Sequence, residues 1–88
     1  MIEREVQIVN SLGLHARPAG QIVRTAGAFQ SHVELLKDGV AVNGKSILGV
    51  MMLAAEQGST ITLRADGSDE AEAVDALARL VAEGFGED

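Results

Sequence analysis

The chain has 88 residues with no cysteine, tryptophan or tyrosine, and its net charge is −6, from seven Lys and Arg against thirteen Asp and Glu. This length predicts a single domain, 1–88, too small to enclose a deep active-site cavity. An acidic chain whose only aromatic residues are two phenylalanines lacks the positive charge and the stacking side chains that nucleic-acid binding needs. With no cysteine and only two histidines, we expect neither disulfides, nor a metal site, nor a cofactor.

The first two predicted elements are a strand and a helix. Residues Glu3–Val9 alternate imperfectly between apolar and polar, which predicts a half-buried strand. Apolar residues then recur at three- and four-residue spacing, which predicts an amphipathic helix with the apolar face Ala19, Ile22, Val23, Ala26 and Phe29. Pro18 fits only the first turn of a helix, so this helix begins around Ala16 and His15 lies at its N-cap.

The start of this helix combines a nucleophile with groups that bind an oxyanion. The N–H groups and the positive dipole of a helix N-terminus stabilise an attached phosphoryl group. Arg17 adds a permanently charged guanidinium whose donors match phosphate oxygens. Gly13 and Gly20 present no side chain, so we expect them to leave room for another molecule. A histidine at a helix start is usually only a cap or a surface residue, but this cluster indicates a nucleophile with an oxyanion clamp around His15.

A hairpin and a short helix come next. Val33–Lys37 and Val40–Asn43 flank Asp38-Gly39, a dipeptide typical of a two-residue hairpin turn. Ser46 precedes an apolar pattern and is suited to N-cap a helix there, which is all that most serines in this setting do. His32 has no arginine or glycine cluster beside it, so we interpret it as a surface strand residue.

The remaining signals predict one strand and one helix. Thr60–Arg64 alternates cleanly and predicts a strand. The final helix begins near Ser68 or Asp69, either of which can cap it, and Glu72 is placed to form a capping box with Asp69. Gly84 supplies the stop. The inward residues of this helix are Ala73, Val74, Leu77, Leu80 and Val81.

The resulting order, β-α-β-β-α-β-α, predicts an α+β fold with helices on one face of an antiparallel sheet, whose strand order the local signals do not give. Two motifs, Asn10–Ala19 (NSLGLHARPA) and Gly44–Met51 (GKSILGVM), resemble HPr, the histidine-containing phosphocarrier family of the bacterial phosphotransferase system. The resemblance covers the whole chain. It implies an open-faced β-sandwich of four antiparallel strands with three helices on one side.

The resemblance also implies a function. It implies that phosphorylated enzyme I, charged by phosphoenolpyruvate, phosphorylates His15 at Nδ1. It further implies that the group passes to enzyme IIA domains for sugar uptake or, in some branches, to other regulatory acceptors. Arg17 stabilises the phosphate. The chain is then a phosphocarrier rather than an independent enzyme, because no second acid/base group or enclosing lid is evident. The expected partner-docking residues are Ala16, Pro18, Gly20, Arg24, Ile47, Leu48 and Met51.

Lys45-Ser46-Ile47 resembles the branch in which the serine is phosphorylated by HPr kinase/phosphorylase, and in part of that branch the product binds a transcriptional regulator. Leu48 stands where we expect methionine, which leaves open which regulator is recognised. A phosphate at a helix N-terminus is tolerated by the dipole, so its effect should fall on docking rather than folding. Two alternatives remain: a regulatory interaction protein that acts mainly through Ser46, and a nitrogen-related HPr paralogue, which Lys45-Ser46-Ile47 disfavours.

Location and oligomeric state complete the expectations. The first residues lack the basic stretch and apolar core of a signal peptide, and no apolar run approaches the roughly 20 residues that span a bilayer. We therefore expect a cytoplasmic protein that does not insert into membranes. We also expect it to be a monomer.

Overall fold

A four-stranded antiparallel sheet and three helices make up the computed structural model, which describes residues 1–87. The elements are β1 (Ile2–Gln7), α1 (Ala16–Gly27), β2 (His32–Lys37), β3 (Val40–Asn43), α2 (Ile47–Met52), β4 (Thr60–Asp66) and α3 (Glu70–Ala82), followed by a 3-10 turn over Gly84–Gly86. This order and the α+β class confirm the prediction. Within residues 1–87, no helix is long and apolar enough to cross a membrane.

The strand order, β1-β4-β2-β3, places the last strand at the centre of the sheet. β4 pairs antiparallel with β1 on one side and with β2 on the other. Its residues alternate between a buried face, with Ile61, Leu63 and Ala65, and a more exposed face that carries Arg64. One covered face and one open face are what the period-2 alternation of the sequence requires.

The core lies between the sheet and the helices. The buried helix residues opposite the sheet are Ala19, Ile22 and Ala26 of α1, Val50 of α2, and Ala73, Val74, Leu77 and Val81 of α3. These confirm the predicted inward faces, except that Val23, Phe29 and Leu80 are only partly buried at the edge of the core.

The turn between β2 and β3 is a two-residue hairpin, as predicted. Asp38 and Gly39 both have positive φ, 51° and 81°. Positive φ at both central residues is the requirement of a type I′ turn, whose twist matches that of the flanking strands. An aspartate followed by glycine meets this requirement at low cost, and so fixes the β2–β3 register from local sequence alone.

The start of α3 differs from the prediction. The helix begins at Glu70, so Asp69 is the N-cap residue, but its side chain makes no capping hydrogen bond and the capping box with Glu72 is wrong. The Asp69 carboxylate instead accepts hydrogen bonds from the backbone N–H groups of Gln30 and Ser31, at 2.8 and 2.9 Å, and from the Ser31 hydroxyl. Asp69 therefore ties the segment before β2 to the start of α3.

This tie predicts a pH-dependent stability. The hydrogen bonds, that from the Ser31 hydroxyl above all, hold the pKa of the Asp69 carboxyl below its ordinary value. A lowered native pKa stabilises the fold above the unfolded pKa of about 3.9, and that stabilisation is lost as pH falls through the native pKa. We expect Asp69→Asn to lower Tm at neutral pH, with the difference from wild type constant down to about pH 4 and shrinking below it. Thermal unfolding at a series of pH values measures this, and a difference that grows in acid contradicts it.

Candidate functional site

His15 lies at the N-cap of α1, as the sequence predicts. Its backbone is extended, with φ −78° and ψ −171°, and its carbonyl accepts the hydrogen bond from Ala19 N at 3.0 Å that begins the helix. The imidazole does not cap the helix, and about a third of the side chain, 36%, is exposed. A histidine side chain is thereby held at the positive end of a helix while remaining accessible.

The loop before His15 is closed by Gly13. Its φ is +67°, and a Cβ there would overlap the carbonyl oxygen of Ala55 and lie 2.9 Å from the Cα of Glu56. The next residue, Leu14, donates a backbone hydrogen bond to that same Ala55 carbonyl. The expectation that Gly13 makes room for another molecule is therefore wrong, because its missing side chain lets the loop pack against the chain itself.

Glu87 holds one side of the imidazole. His15 Nε2 lies 3.0 and 3.1 Å from the two carboxylate oxygens of Glu87. Asn10, which is fully buried, donates from Nδ2 to Glu87 Oε1 at 2.9 Å and to the Gly13 carbonyl at 2.8 Å. The hydrogen bond with His15, supported by that from Asn10, holds the pKa of the Glu87 carboxyl below its ordinary value. His15, Glu87 and Asn10 therefore form one hydrogen-bonded unit.

The segment that follows α3 carries Glu87 to this position. Phe85 is buried in the core with a positive φ of 59°, between Gly84 and Gly86, which also have positive φ. The Phe85 carbonyl accepts a hydrogen bond from Gln21 Nε2 of α1 at 3.1 Å. From the sequence, Gly84 is predicted only as a helix stop, and Glu87 is not predicted as part of the site. An aromatic residue flanked by two glycines, which predicts a buried anchor in a tight turn, was the available signal.

Arg17 and Ala16 are exposed in the first turn of α1. The positive charge of Arg17 is a minor contributor to the lowered pKa of Glu87, behind the hydrogen bonds from His15 and Asn10, which places it in the same electrostatic environment. Pro18 has no N–H, so the backbone donors that a helix N-terminus leaves unpaired are here those of Ala16 and Arg17. These groups and the guanidinium supply donors for an anion near His15.

Pro18 and Gly20 are buried, unlike the other two docking residues predicted in α1, Ala16 and Arg24, which are exposed. The docking role of Pro18 and Gly20 stays a prediction. Pro18 is a buried residue of the first turn of α1, where its fixed φ suits the helix. A Cβ at Gly20 would lie 3.5 Å from Nη1 of Arg24, so the Arg24 guanidinium extends back over the glycine towards the start of α1. Arg24 itself is exposed, and Gly20 contributes by leaving space for its side chain.

Ser46 is the N-cap of α2, as predicted, and its Oγ accepts a hydrogen bond from Gly49 N at 3.1 Å. α2 packs against α1. The predicted docking residues of α2 are exposed: Ile47 by 49%, Leu48 by 71% and Met51 by 40%. Leu12 and Met52, which the sequence did not single out, are the most exposed of the other large apolar side chains, at 72% and 71%.

His32 begins β2 away from these groups. Its side chain is 62% exposed and its Nε2 lies 3.5 Å from the Glu34 carboxylate. This is the surface strand residue that the sequence predicts, and it provides a natural comparison for His15.

Comparison with known proteins gives the family of this chain. The family profile described as "PTS HPr component phosphorylation site" matches residues 2–83. The phosphocarrier protein HPr of Cupriavidus necator is 53% identical over 87 residues, which cover 99% of this chain and 98% of that protein. The chain belongs to the HPr family. The crystal structure of HPr from Thermoanaerobacter tengcongensis superposes with a TM-score of 0.96 at 46% identity, covering 100% of this chain and 99% of the other.

A second kind of relative is also similar. Crh of Bacillus subtilis, named as a catabolite repression protein and solved as a dimer with a swapped domain, is 47% identical with a TM-score of 0.77, covering 94% of this chain and 95% of that one. The HPr fold seen here is thus shared by phosphocarrier proteins and by a protein named for repression.

Proposed function

We propose that this chain accepts a phosphoryl group on His15 from phosphorylated enzyme I, charged by phosphoenolpyruvate, and passes it to enzyme IIA domains for sugar uptake. The observation that carries the proposal is the placement of His15 at the N-cap of α1, with Arg17 in the same turn. Membership of a phosphocarrier family supports it. In this proposal the chain is a phosphotransfer intermediate rather than an independent enzyme.

The exposed groups around His15 suit transfer between proteins. A third of the imidazole is accessible, so a second protein can bring its own phosphohistidine to the ring without a cavity. We propose that docking uses Ala16 and Arg24 of α1 together with Ile47, Leu48 and Met51 of α2. Apolar side chains exposed in a cluster mark interaction sites, and methionine adapts to several partners.

Incubation with phosphoenolpyruvate, Mg²⁺ and enzyme I, followed by intact-mass analysis, tests the carrier function. We expect one phosphoryl group, released in acid as phosphohistidine is, and its loss to a cognate enzyme IIA domain on mixing. Absence of any phosphoryl group on folded protein with an active enzyme I contradicts the proposal. Phosphorylation without onward transfer to any enzyme IIA domain favours the regulatory alternative.

We also propose that Ser46 is phosphorylated by HPr kinase/phosphorylase and that this controls docking, with a transcriptional regulator as a further partner of the modified protein. Ser46 is partly exposed at the start of α2, next to the exposed Ile47 and Leu48. A phosphate there adds about −1.5 to −2 charges beside apolar side chains. It would repel an acidic partner and raise the cost of removing water from the surface.

Ser46→Asp should lower the rate of His15 phosphorylation by enzyme I by at least roughly tenfold, since like charge at an interface costs several kcal/mol. Ser46→Asn is the matched control, because asparagine is similar in size and caps a helix as well as aspartate but carries no charge. We expect both variants to have wild-type circular dichroism spectra. Equal rates for Asp and Asn variants, measured by quenched-flow phosphorylation, would exclude charge at position 46 as the switch.

The similarity to Crh favours a second candidate, a regulatory protein that acts mainly through Ser46. We propose the carrier as the principal role, and we propose that it acts as a monomer in the cytoplasm. Sedimentation of the purified chain over a concentration series measures the oligomeric state. A stable dimer would contradict the proposed monomer and would match the dimeric state of the Crh structure.

A further inference from the structure

The hydrogen-bonded unit of His15, Glu87 and Asn10 determines which nitrogen of the neutral imidazole carries the proton. An ionised carboxylate only accepts hydrogen bonds, so the nitrogen that faces Glu87 carries the proton. Both Glu87 oxygens face Nε2, at 3.0 and 3.1 Å. In this tautomer the lone pair lies on Nδ1.

Asn10 fixes Glu87 as an acceptor. Its Nδ2 donates to both Glu87 Oε1 and the Gly13 carbonyl, while its buried Oδ1 has no hydrogen-bond partner among residues 1–87. The reverse amide orientation would set Oδ1 against two acceptors. A buried oxygen without a hydrogen bond costs free energy. The Asn10 amide bears this cost in the orientation that lets Nδ2 donate to the Glu87 carboxylate. Glu87 is therefore held by a dedicated donor rather than lying on the surface by chance.

We infer that Glu87 is a positioning residue for phosphoryl transfer through His15: it holds the Nε2–H tautomer and stabilises the positive charge that the ring gains during the reaction. The inference rests on the proposed function. It goes beyond the roles of His15 and Arg17, and it concerns a residue on which the sequence motifs are silent.

The charge balance of the step shows why a carboxylate matters. The Nδ1 lone pair of the neutral His15 ring forms a bond to the phosphorus of the donor's phosphohistidine, and the donor N–P bond breaks with its electron pair returning to the donor nitrogen. The proton on Nε2 stays in place, so the His15 ring becomes a phosphorylated imidazolium with one positive charge. Glu87 faces that charge across a charge-assisted hydrogen bond.

The same contact assists the onward step. When an acceptor histidine attacks the phosphorus, the Nδ1–P bond breaks and its electron pair returns to the His15 ring, which leaves as a neutral imidazole because Nε2 has kept its proton. A carboxylate that keeps this proton on Nε2 therefore assists phosphoryl transfer in both directions. Within residues 1–87, the positive charge of Arg17 of α1 also acts on the Glu87 carboxylate. In the proposed reaction Arg17 binds the phosphate.

The test compares Glu87→Gln and Glu87→Ala with Glu83→Gln, which removes an equal charge from the exposed Glu83 at the end of α3. Glutamine keeps an oxygen acceptor for Nε2–H and loses the charge, whereas alanine loses both. We expect phosphorylation by enzyme I to slow about tenfold in Glu87→Gln, as fits the replacement of a charge-assisted hydrogen bond by a weaker neutral one. We expect Glu87→Ala, which loses the hydrogen bond as well, to be slower still. Glu83→Gln should react at the wild-type rate.

Nitrogen-15 NMR of the histidine rings provides a readout that a merely structural role would not move. In the unphosphorylated protein at a pH where the ring is neutral, we expect the Nε2–H tautomer to predominate in wild type and Glu87→Gln, and the Nδ1–H fraction to rise in Glu87→Ala. Carboxyl carbon NMR should show Glu87 titrating below its ordinary range, and His15→Ala should raise that midpoint.

The outcomes separate this inference from the proposed function. Normal phosphorylation rates in both Glu87 variants, or unchanged ring tautomers in Glu87→Ala, overturn the role of Glu87 while the carrier function stands. If wild type takes up no phosphoryl group, the carrier function fails, and the tautomer and carboxyl measurements still decide whether Glu87 positions the ring.

Discussion

His15→Ala should abolish uptake of the acid-labile phosphoryl group, whereas His32→Ala should be phosphorylated at the wild-type rate. The two histidines differ in surroundings rather than in chemistry. His15 lies at a helix N-terminus and is held through Nε2 by Glu87. His32 lies on a strand with 62% of its side chain exposed, and its Nε2 is 3.5 Å from the Glu34 carboxylate. Backbone donors and Arg17 can stabilise a phosphate at the first position, whereas His32 begins a strand and, among residues 1–87, lies at no helix N-terminus.

Intact-mass analysis after incubation with phosphoenolpyruvate and enzyme I distinguishes the two variants. A brief acid treatment separates phosphohistidine, which hydrolyses, from phosphoserine, which survives. An acid-labile phosphoryl group that persists in His15→Ala would identify His32 as the acceptor. One that persists and is acid-stable would point to a serine, with Ser46 the first to examine.

Arg17→Ala should lower the rate of phosphoryl transfer on the order of 10²-fold in both directions while leaving Tm unchanged, since removing one donor to a developing oxyanion has effects of this size. Arg17 is exposed, so little packing is lost. Its guanidinium acts on charge that accumulates on the phosphoryl oxygens as the N–P bond forms or breaks. Quenched-flow transfer from enzyme I, and onward to enzyme IIA, measures the two directions separately.

Two further variants sharpen the arginine test. Arg17→Lys keeps the positive charge without the planar pair of donors, so we expect an intermediate rate. Arg79→Ala removes an exposed arginine from the last turn of α3 and should leave transfer unaffected. A rate for Arg17→Ala equal to that of Arg79→Ala would remove the guanidinium from the mechanism.

Local sequence determined those parts of the site that one element makes by itself. A proline that tolerates only a first turn located the start of α1 and put His15 at the N-cap, and a serine before an apolar run located the start of α2. The Asp38-Gly39 turn followed from the same kind of reasoning. These features depend on backbone geometry within a few residues, which side-chain type and spacing report directly.

Local sequence does not predict the contacts of a side chain that has a choice of partner. Asp69 is as good a cap by type as Ser46, but its carboxylate bonds to Gln30 and Ser31, which lie 39 and 38 residues earlier in the chain. Gly13 and Gly20 present no side chain, which from the sequence predicts room beside His15 for another molecule, but both are buried in the fold. Propensity describes what a residue can do locally, and tertiary neighbours decide among those possibilities.

The sequence by itself thus determined the order of elements, the inward faces of the helices, and the identity of His15, Arg17 and Ser46 as the residues to test. Only the tertiary structure decided the strand order β1-β4-β2-β3 and brought Glu87 to the imidazole across 72 residues of chain. Periodicity records which face of an element is apolar, but it does not record which other element covers that face. The contact between His15 and Glu87 exists because Phe85 is buried in the shared core, and the position of that core depends on all the elements packing together.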